Sequence, residues 1–302
     1  MYSNSIDIVE VSPRDGLQNE RTLVSTTDKV ALVERAIAAG ARRIEVTSFV
    51  NPKAVPQMAD AEAVCAGLPV RDDVTYIGLV MNARGAARAL DTGRIDQLGA
   101  VAVATDQFAM ANQGQTSDGS VEAAKDIIAM AHAAGKTGQV TIGAAFGCPF
   151  EGEVSEDRVV AMAQAIAEAG PIEIGLADTI GVANPAHVAS LISKVRAAVP
   201  GLPVRVHFHN TRGTGLANLW SAILAGASVA DCAIGGLGGC PFAPGAAGNI
   251  STEDVIYMLD RAGVRTGMDL QHLIAANHWL ADVMQRPLPG MVAKAPPFPK
   301  QA

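Results

Sequence analysis

The sequence is poor in cysteine and contains no extended basic or apolar run. Its cysteines, Cys65, Cys148, Cys232 and Cys240, form no Cys-x-x-Cys pair, so neither a zinc knuckle nor a disulfide scaffold is indicated, and a reducing compartment is expected. No apolar run reaches membrane-spanning length, and a strand pattern beginning at Ile6 leaves no room for a signal or transit peptide. The formal net charge is −7. We therefore predict a cytoplasmic protein with no membrane and no nucleic-acid partner.

The composition is that of a globular protein. Hydrophobic residues make up 49% of the chain and charged residues 18%, which separates it clearly from disordered sequences. A length of 302 residues is large for one ordinary domain but normal for one α/β barrel with an extension. One large hydrophobic core is expected.

Short β-branched runs alternate with alanine-rich amphipathic runs along the chain, which predicts repeated βα units. Strands are predicted at 6–11, 43–47, 75–80, 99–104, 139–143, 172–176, 204–208 and 229–234, and helices at 27–39, 83–90, 120–134, 155–169, 185–199, 216–225 and 268–285. Eight units predict a TIM (β/α)8 barrel over residues 1–265. A C-terminal helix and tail over 266–302 should pack on the barrel or against a second subunit, and we expect a homo-oligomer.

A doubly wound sheet is the competing architecture, but it normally places a phosphate-binding glycine motif directly after the first strand. That place is occupied here by Pro13-Arg14-Asp15-Gly16. In a TIM barrel, the functional side chains lie at the carboxyl ends of the strands. The predicted strands bring the following polar side chains to that end: Arg14, Asp15, Glu45, Asp178, His207 and His209.

Two of these residues suggest a metal site. His207 and His209 lie two apart on a strand, so their side chains project to the same face. Two adjacent imidazoles suit a single divalent cation, although a pair of histidines that only caps the strand is the alternative.

A glycine-rich stretch over residues 235–248 follows the last strand and contains Cys240 between Gly239 and Pro241. Such long glycine-rich connections inside a compact domain are usually functional. Cys240 is therefore predicted to be presented as a thiol, with burial as a small apolar residue as the alternative. Cys148 occupies a similar Gly-Cys-Pro-Phe sequence, for which a structural role is expected.

At these residues, the chain resembles the 3-hydroxy-3-methylglutaryl-CoA (HMG-CoA) lyase family, metal-dependent TIM-barrel enzymes within the DRE-TIM metallolyases. The matching segments are VEVSPRDGLQNE at 9–20, TSFVNPK at 47–53, GCPFEG at 147–152, DTIGV at 178–182, the loop around Cys240, and ISTED at 250–254. They cover nearly the whole chain in order. The resemblance implies a TIM barrel that cleaves HMG-CoA to acetyl-CoA and acetoacetate by retro-aldol (Claisen-type) chemistry.

The resemblance also implies a metal site. Asp15, His207, His209 and Asn249 would hold a divalent cation, and their mixed nitrogen and oxygen donors suit Mg²⁺ or Mn²⁺ better than structural zinc. The cation would lower the pKa of the substrate's tertiary hydroxyl, so that a nearby base can remove its proton. Asp15 and His207 both remain candidates for that base.

Further roles follow from the same resemblance. Arg14 would stabilise charge on the thioester oxygen, and Cys240 would protonate the acetyl-CoA enolate. Glu45 and Glu253 would orient Arg14 and Asn249 respectively. Three more residues complete the predicted surroundings of the substrate, namely Gln18, Ser48 and Asp178.

The chain departs from the family pattern around the acyl group. The family reads His-x-His-Asp-Thr-Tyr-Gly after the seventh strand, whereas this chain has Asn210 and Arg212 in place of the acid and the aromatic. A family serine and a family tyrosine are replaced by Gly175 and Thr141. The alternative substrate is therefore a related thioester such as citramalyl-CoA, cleaved to acetyl-CoA and pyruvate, whose carboxylate Arg212 would pair with.

Two other functions are alternatives to a lyase. The first is a synthase that catalyses the condensation, and the presence of the cysteine loop argues against it. The second is a metal-binding barrel without catalytic activity, and the complete set of predicted catalytic and metal-binding residues argues against it.

Overall fold

The computed structural model describes residues 4–239, 248–296 and 298. Within these residues, the strands are β1 (Asp7–Glu10), β2 (Arg43–Ser48), β3 (Thr75–Val80), β4 (Gln97–Val103), β5 (Thr137–Gly143), β6 (Ile174–Asp178), β7 (Val204–Phe208) and β8 (Val229–Cys232). Each strand pairs in parallel with the next, and β8 pairs with β1 through Asp7 opposite Val229 and Glu10 opposite Cys232. The sheet therefore closes into the predicted TIM barrel.

The helices lie outside the barrel. They are α1 (Thr26–Ala38), α2 (Ala61–Gly67), α3 (Ala83–Asp91), α4 (Asp106–Gln113), α5 (Ser117–Ala133), α6 (Glu156–Ala167), α7 (Pro185–Ala198), α8 (Gly215–Leu224), α9 (Thr252–Arg261) and α10 (Leu270–Met284). Short 3₁₀ segments occur at Pro56–Met58, Ile234–Gly236 and Val292–Lys294, and one π-helical turn at Ser12–Gly16. Apolar side chains between the strands and these helices form the main core.

The predicted elements agree closely with the observed ones. The bounds of β3 and β7 are as predicted, and the strands at 6–11 and 229–234 are shorter in the structure because the chain turns after Glu10 and after Cys232. Helices α2, α4 and α9 had not been predicted. The first two have only 7 and 8 residues, too short for the helical period to stand out.

The predicted C-terminal helix is α10, and it packs beside the barrel on α1. The backbone N–H of Asp269 donates to the carbonyl of Ala39 at 2.8 Å, and the guanidinium of Arg35 lies 4.1 Å from the centre of the Trp279 ring. Among the described residues, none of the helices combines the length and the apolar character needed to cross a membrane.

The middle of the barrel is polar, whereas TIM barrels usually fill it with branched apolar side chains. Glu173, just before β6, accepts two hydrogen bonds from Arg43 on β2, at 2.9 and 2.8 Å. It also forms an ion pair with Arg205 on β7, whose Nε lies 3.0 Å away. Gln139 on β5 accepts from Gln97 at 2.7 Å and from Arg43 at 3.1 Å. This buried layer forms the floor beneath the carboxyl ends of the strands.

Candidate active site

The segment after β1 carries Arg14 and Asp15 on a π-helical turn that a buried carboxylate holds in place. Glu10 accepts from the backbone N–H of Ser12 at 2.9 Å and of Ile234 at 3.1 Å, and from the Thr252 hydroxyl at 2.7 Å. Burial raises the pKa of Glu10 to about 7, although these hydrogen bonds oppose the rise. Glu10, which had not been predicted as a site residue, thus joins the end of β1, the end of β8 and the start of α9.

Asp15, His207 and His209 converge at the carboxyl end of the barrel. Each offers a donor atom within 4.8 Å of the others, and the two ring centroids are 5.1 Å apart. Asp15 Oδ2 lies 3.8 Å from Nε2 of His207 and 3.7 Å from Nε2 of His209. His207 and His209 therefore project to the same face, as the strand pattern predicted, and Asp15 lies beside them, as the family resemblance implied.

Asn249 completes this cluster. Its Nδ2 donates to Asp15 Oδ2 at 2.7 Å and to the carbonyl of Leu237 at 2.9 Å. Its Oδ1 is buried and has no hydrogen-bond partner among the residues that the structure describes. A buried, unpaired amide oxygen beside a carboxylate and two imidazoles is the donor set that a divalent cation would satisfy.

Gly238 gives Asn249 the room that it needs. The glycine has a φ of +102°, and a Cβ there would collide with Asn249 Nδ2 and lie 3.0 Å from the carbonyl oxygen of Asp15. Both the backbone conformation and the close approach therefore require glycine at this position.

Arg14 lies beside the cluster and is fixed by two carboxylates. Its Nη1 donates to Asp15 Oδ1 at 2.6 Å, and its Nε donates to Glu45, so the contact expected between Glu45 and Arg14 is present. The pairing of β2 with β3 shifts register between Glu45 and Thr47, directly after the residue that accepts from Arg14. Burial alone would raise the pKa of Asp15, but Arg14 and the histidines hold it well below its ordinary value.

Asp231 on β8 contacts one histidine of the cluster, His207, on the ring nitrogen away from Asp15. Its Oδ2 lies 3.1 Å from Nδ1 of His207 and accepts from Arg205 Nη1 at 2.5 Å. A carboxylate at Nδ1 favours the tautomer that leaves the Nε2 lone pair facing the cluster. Neither Asp231 nor Arg205 had been predicted from the sequence, although a charged residue within a buried strand was an available signal.

Gln18 and Ser48 contact each other near the cavity. The Ser48 hydroxyl donates to Gln18 Oε1 at 3.0 Å, and Gln18 lines the cavity while Ser48 is fully buried behind it. Asp178 does not line the cavity. Its carboxylate accepts from the backbone N–H of Val182 at 2.8 Å and of Ala183 at 3.0 Å, so it shapes the turn after β6.

The structure corrects the expected contacts of two residues. Glu253 accepts from the backbone N–H of Gly235 at 3.1 Å and from Asn277 at 2.5 Å, and none of its hydrogen bonds within the described ranges goes to Asn249. Arg212 is exposed and donates to the carbonyls of Ile180 at 2.8 Å and Gly181 at 3.0 Å, outside the cavity. Backbone carbonyls after β6 therefore fix its position.

Cys240 lies outside the described residues.

A cavity of about 240 Å³ opens directly above the cluster. Charged and polar side chains line its inner end, and the apolar side chains of Leu79, Val103 and Phe108 line its sides. A neighbouring groove of about 740 Å³ shares four lining residues with it, namely Gln18, Leu79, Met81 and Asn112. The two together can accept a ligand with a small reactive end and a long arm.

Comparisons with known proteins agree on one family. The family model described as HMGL-like matches residues 5–280. The (R)-citramalyl-CoA lyase of Chloroflexus aurantiacus is 43% identical, over 97% of this chain and 95% of its own. The hydroxymethylglutaryl-CoA lyase YngG of Bacillus subtilis is 39% identical, over 95% and 96%. A solved HMG-CoA lyase from Acinetobacter baumannii, in complex with coenzyme A and 3-methylmalate, is 39% identical with a TM-score of 0.94, over 100% and 98%.

Proposed function

The chain belongs to the HMGL-like family, a family of carbon–carbon lyases, and on that premise we propose that it cleaves HMG-CoA to acetyl-CoA and acetoacetate with the help of a divalent cation. The observation that carries this proposal is the convergence of Asp15, His207, His209 and Asn249 beneath a cavity, with Arg14 beside them. The family comparison supports a lyase of acyl-CoA substrates, and HMG-CoA is our choice within that class.

Mg²⁺ or Mn²⁺ is proposed as the cation, held by those four side chains, because oxygen donors mixed with imidazoles suit either ion. When bound, the cation would act as a Lewis acid that makes the substrate's tertiary hydroxyl easier to deprotonate. Asp231 would keep His207 in the required tautomer, and Arg14 would keep Asp15 ionised.

The reaction would proceed with three roles for this chain's residues. The hydroxyl proton would pass to Asp15, because His207 has Nε2 facing the cation site and Nδ1 paired with Asp231 and so keeps no free lone pair for a proton. The bond between C2 and C3 of the acyl group then breaks. Its electron pair moves to the thioester, where Arg14 would stabilise the resulting enolate oxygen. Cys240 would then donate its thiol proton to the enolate carbon, which completes acetyl-CoA.

The groove beside the cavity is the proposed site of the CoA arm. Arg84 and Arg88 both line it. Arg88 already donates to Glu62 at 2.9 Å and to the Val50 carbonyl at 3.1 Å, whereas the exposed Arg84 is better placed to meet a phosphate. A homo-oligomer and a cytoplasmic location remain predictions from the sequence.

Citramalyl-CoA is the second candidate substrate. The 43% identity to a citramalyl-CoA lyase favours this substrate. The sequence argument for it depended on an ion pair with Arg212, and that side chain donates instead to the carbonyl of Ile180. The carboxylate of either substrate therefore needs another partner.

The proposed function is tested by assaying the purified protein on HMG-CoA and on both citramalyl-CoA enantiomers, after chelation and with Mg²⁺ or Mn²⁺ added back. We expect cation-dependent release of acetyl-CoA with HMG-CoA as the better substrate, and its loss in Cys240→Ser. Faster cleavage of citramalyl-CoA would show that the preferred substrate is citramalyl-CoA, while the proposed type of reaction would still hold. Cleavage that survives complete chelation, or no cleavage of any of the thioesters, would overturn the proposal.

A further inference from the structure

Arg205 brings a buried guanidinium to the cavity. It lies on β7 two residues before His207, so its side chain projects to the same face roughly 6–7 Å deeper in the barrel. It lines the cavity together with Thr141 and Asp231, and only 2% of the residue is exposed. Burial of an arginine is costly unless its charge is paired, and here the buried carboxylates of Asp231 and Glu173 offset that cost.

The guanidinium is held on three sides. Nη1 donates to Asp231 at 2.5 Å, Nη2 donates to the Thr141 hydroxyl at 2.5 Å, and Nε lies 3.0 Å from Glu173. Each terminal nitrogen carries two hydrogens, so these contacts leave one on each for a further acceptor. The side chain is therefore oriented in advance.

The charges along the cavity wall leave a place for one anion. Arg14, Arg205, Asp15, Glu45 and Asp231 are the charged side chains among its described lining residues. With neutral histidines, two arginines face three carboxylates, so the formal charge is −1, and a divalent cation would change it to +1. One substrate carboxylate would balance that charge.

Gly175 and Thr141, two residues that differ from the family pattern, lie next to this guanidinium. A Cβ on Gly175 would lie 3.0 Å from Arg205 Nη2 and 2.9 Å from the Thr141 hydroxyl, so a side chain there would displace the arginine. Gly175 and Thr141 are the positions where the family has the substrate-contacting serine and a tyrosine. The space that larger side chains would fill is taken here by Arg205.

We propose that Arg205 pairs with the carboxylate of the acyl group and thereby selects thioesters whose acyl chain ends in a carboxylate. This inference rests on the proposed lyase function. Arg205 is a specificity-determining residue in this account, whereas Thr141 is a positioning residue and Gly175 provides the space.

The test compares HMG-CoA with its analogue in which the free carboxylate is replaced by a neutral carboxamide. We expect wild-type kcat/KM to be at least about 100-fold lower for the carboxamide, because an arginine site left unpaired rejects the analogue. In Arg205→Lys, the carboxylate substrate should lose about 100-fold and the carboxamide less than about 3-fold. Equal losses on both substrates would overturn the proposal.

Gly175→Ala is the milder variant, because it crowds Arg205 but keeps every charge. It should lower kcat/KM about 10-fold for the carboxylate substrate alone, as a displaced guanidinium weakens its ion pair. Gly143→Ala is the matched control on the cavity wall, where a Cβ meets only ordinary contacts at 3.7 Å or more. It should affect both substrates alike.

Binding without turnover separates this inference from the proposed function. Calorimetry on the Mn²⁺-loaded protein should show free 3-hydroxy-3-methylglutarate bound about 30-fold more weakly by Arg205→Lys, with Mn²⁺ affinity changed less than about 3-fold. Unchanged binding of this acid would refute the role of Arg205 even if wild type cleaves HMG-CoA. If wild type cleaves neither thioester, only the lyase function fails, provided that the acid still requires Arg205.

Discussion

Replacing Asp231 by asparagine tests whether the carboxylate behind His207 prepares the metal site. The substituted side chain would keep the size of the original but lose the charge that lies 3.1 Å from Nδ1 of His207. With a single amide oxygen in place of a carboxylate, it could no longer accept equally well from the imidazole and from Arg205. The tautomer of His207 that presents Nε2 to a cation would then lose its support.

The size of the effect follows from that single contact. Removal of a carboxylate that orients a ligating imidazole typically lowers metal affinity or activity about 10- to 100-fold, or roughly 1.4–2.7 kcal/mol. We expect Asp231→Asn to weaken Mn²⁺ binding by that factor and to lower kcat/KM at least as much. Mn²⁺ titrations followed by calorimetry measure the first quantity directly.

Glu173→Gln is the matched control. Like Asp231→Asn, it removes a buried carboxylate that pairs with Arg205, whose Nε lies 3.0 Å from Glu173. The side chain of Glu173 pairs with arginines, however, whereas that of Asp231 also contacts His207. Its Mn²⁺ affinity should stay within about 3-fold of wild type. Equal loss of Mn²⁺ affinity in both variants, or none in Asp231→Asn, would refute the orienting role of Asp231.

Two further predictions follow from Arg14 and Glu10. Arg14→Lys should lower kcat about 100- to 1,000-fold because the planar fork at the developing charge is lost, and steady-state rates within about 3-fold of wild type would contradict this. The pKa of Glu10 is raised from 4.5 to about 7. Its contribution to the free energy of unfolding is thus greatest below pH 4.5, and about 3 kcal/mol is lost as the pH rises through 7. In Glu10→Gln, urea titrations at several pH values should show a smaller decrease in the free energy of unfolding with rising pH. An unchanged decrease would contradict the assigned contribution of Glu10.

The barrel was predictable because its signal is repeated along the chain. Alternation of β-branched and alanine-rich runs located β3 and β7 to the residue. Helix α9 was missed although the sequence signals its start, since it begins at Thr252 behind a Ser251 cap whose hydroxyl accepts from the Asp254 N–H. The pairing of the two histidines was also predictable, since the two-residue period of a strand places His207 and His209 on one face, whereas Asp15 and Asn249 were expected as ligands only from the family resemblance.

The supporting charges could not be ranked from the sequence alone. Asp231 and Arg205 each lie within a strand, and only the closed barrel shows that β7 and β8 bring them to 2.5 Å from each other. Arg212 illustrates the opposite error. Proximity in sequence to His209 suggested a place in the cavity, but the turn directs its guanidinium to carbonyl groups after β6. Side-chain direction beyond a strand end depends on the turn, which charge patterns do not report.

The central claim is that one divalent cation is bound by Asp15, His207, His209 and Asn249. The most direct measurement is electron spin-echo envelope modulation on chelator-treated protein reloaded with Mn²⁺, together with the binding stoichiometry. We predict one Mn²⁺ per chain with coupling to two imidazole nitrogens, and the loss of one coupling in His209→Ala. A spectrum without imidazole coupling, or one unchanged in that variant, would contradict the claim.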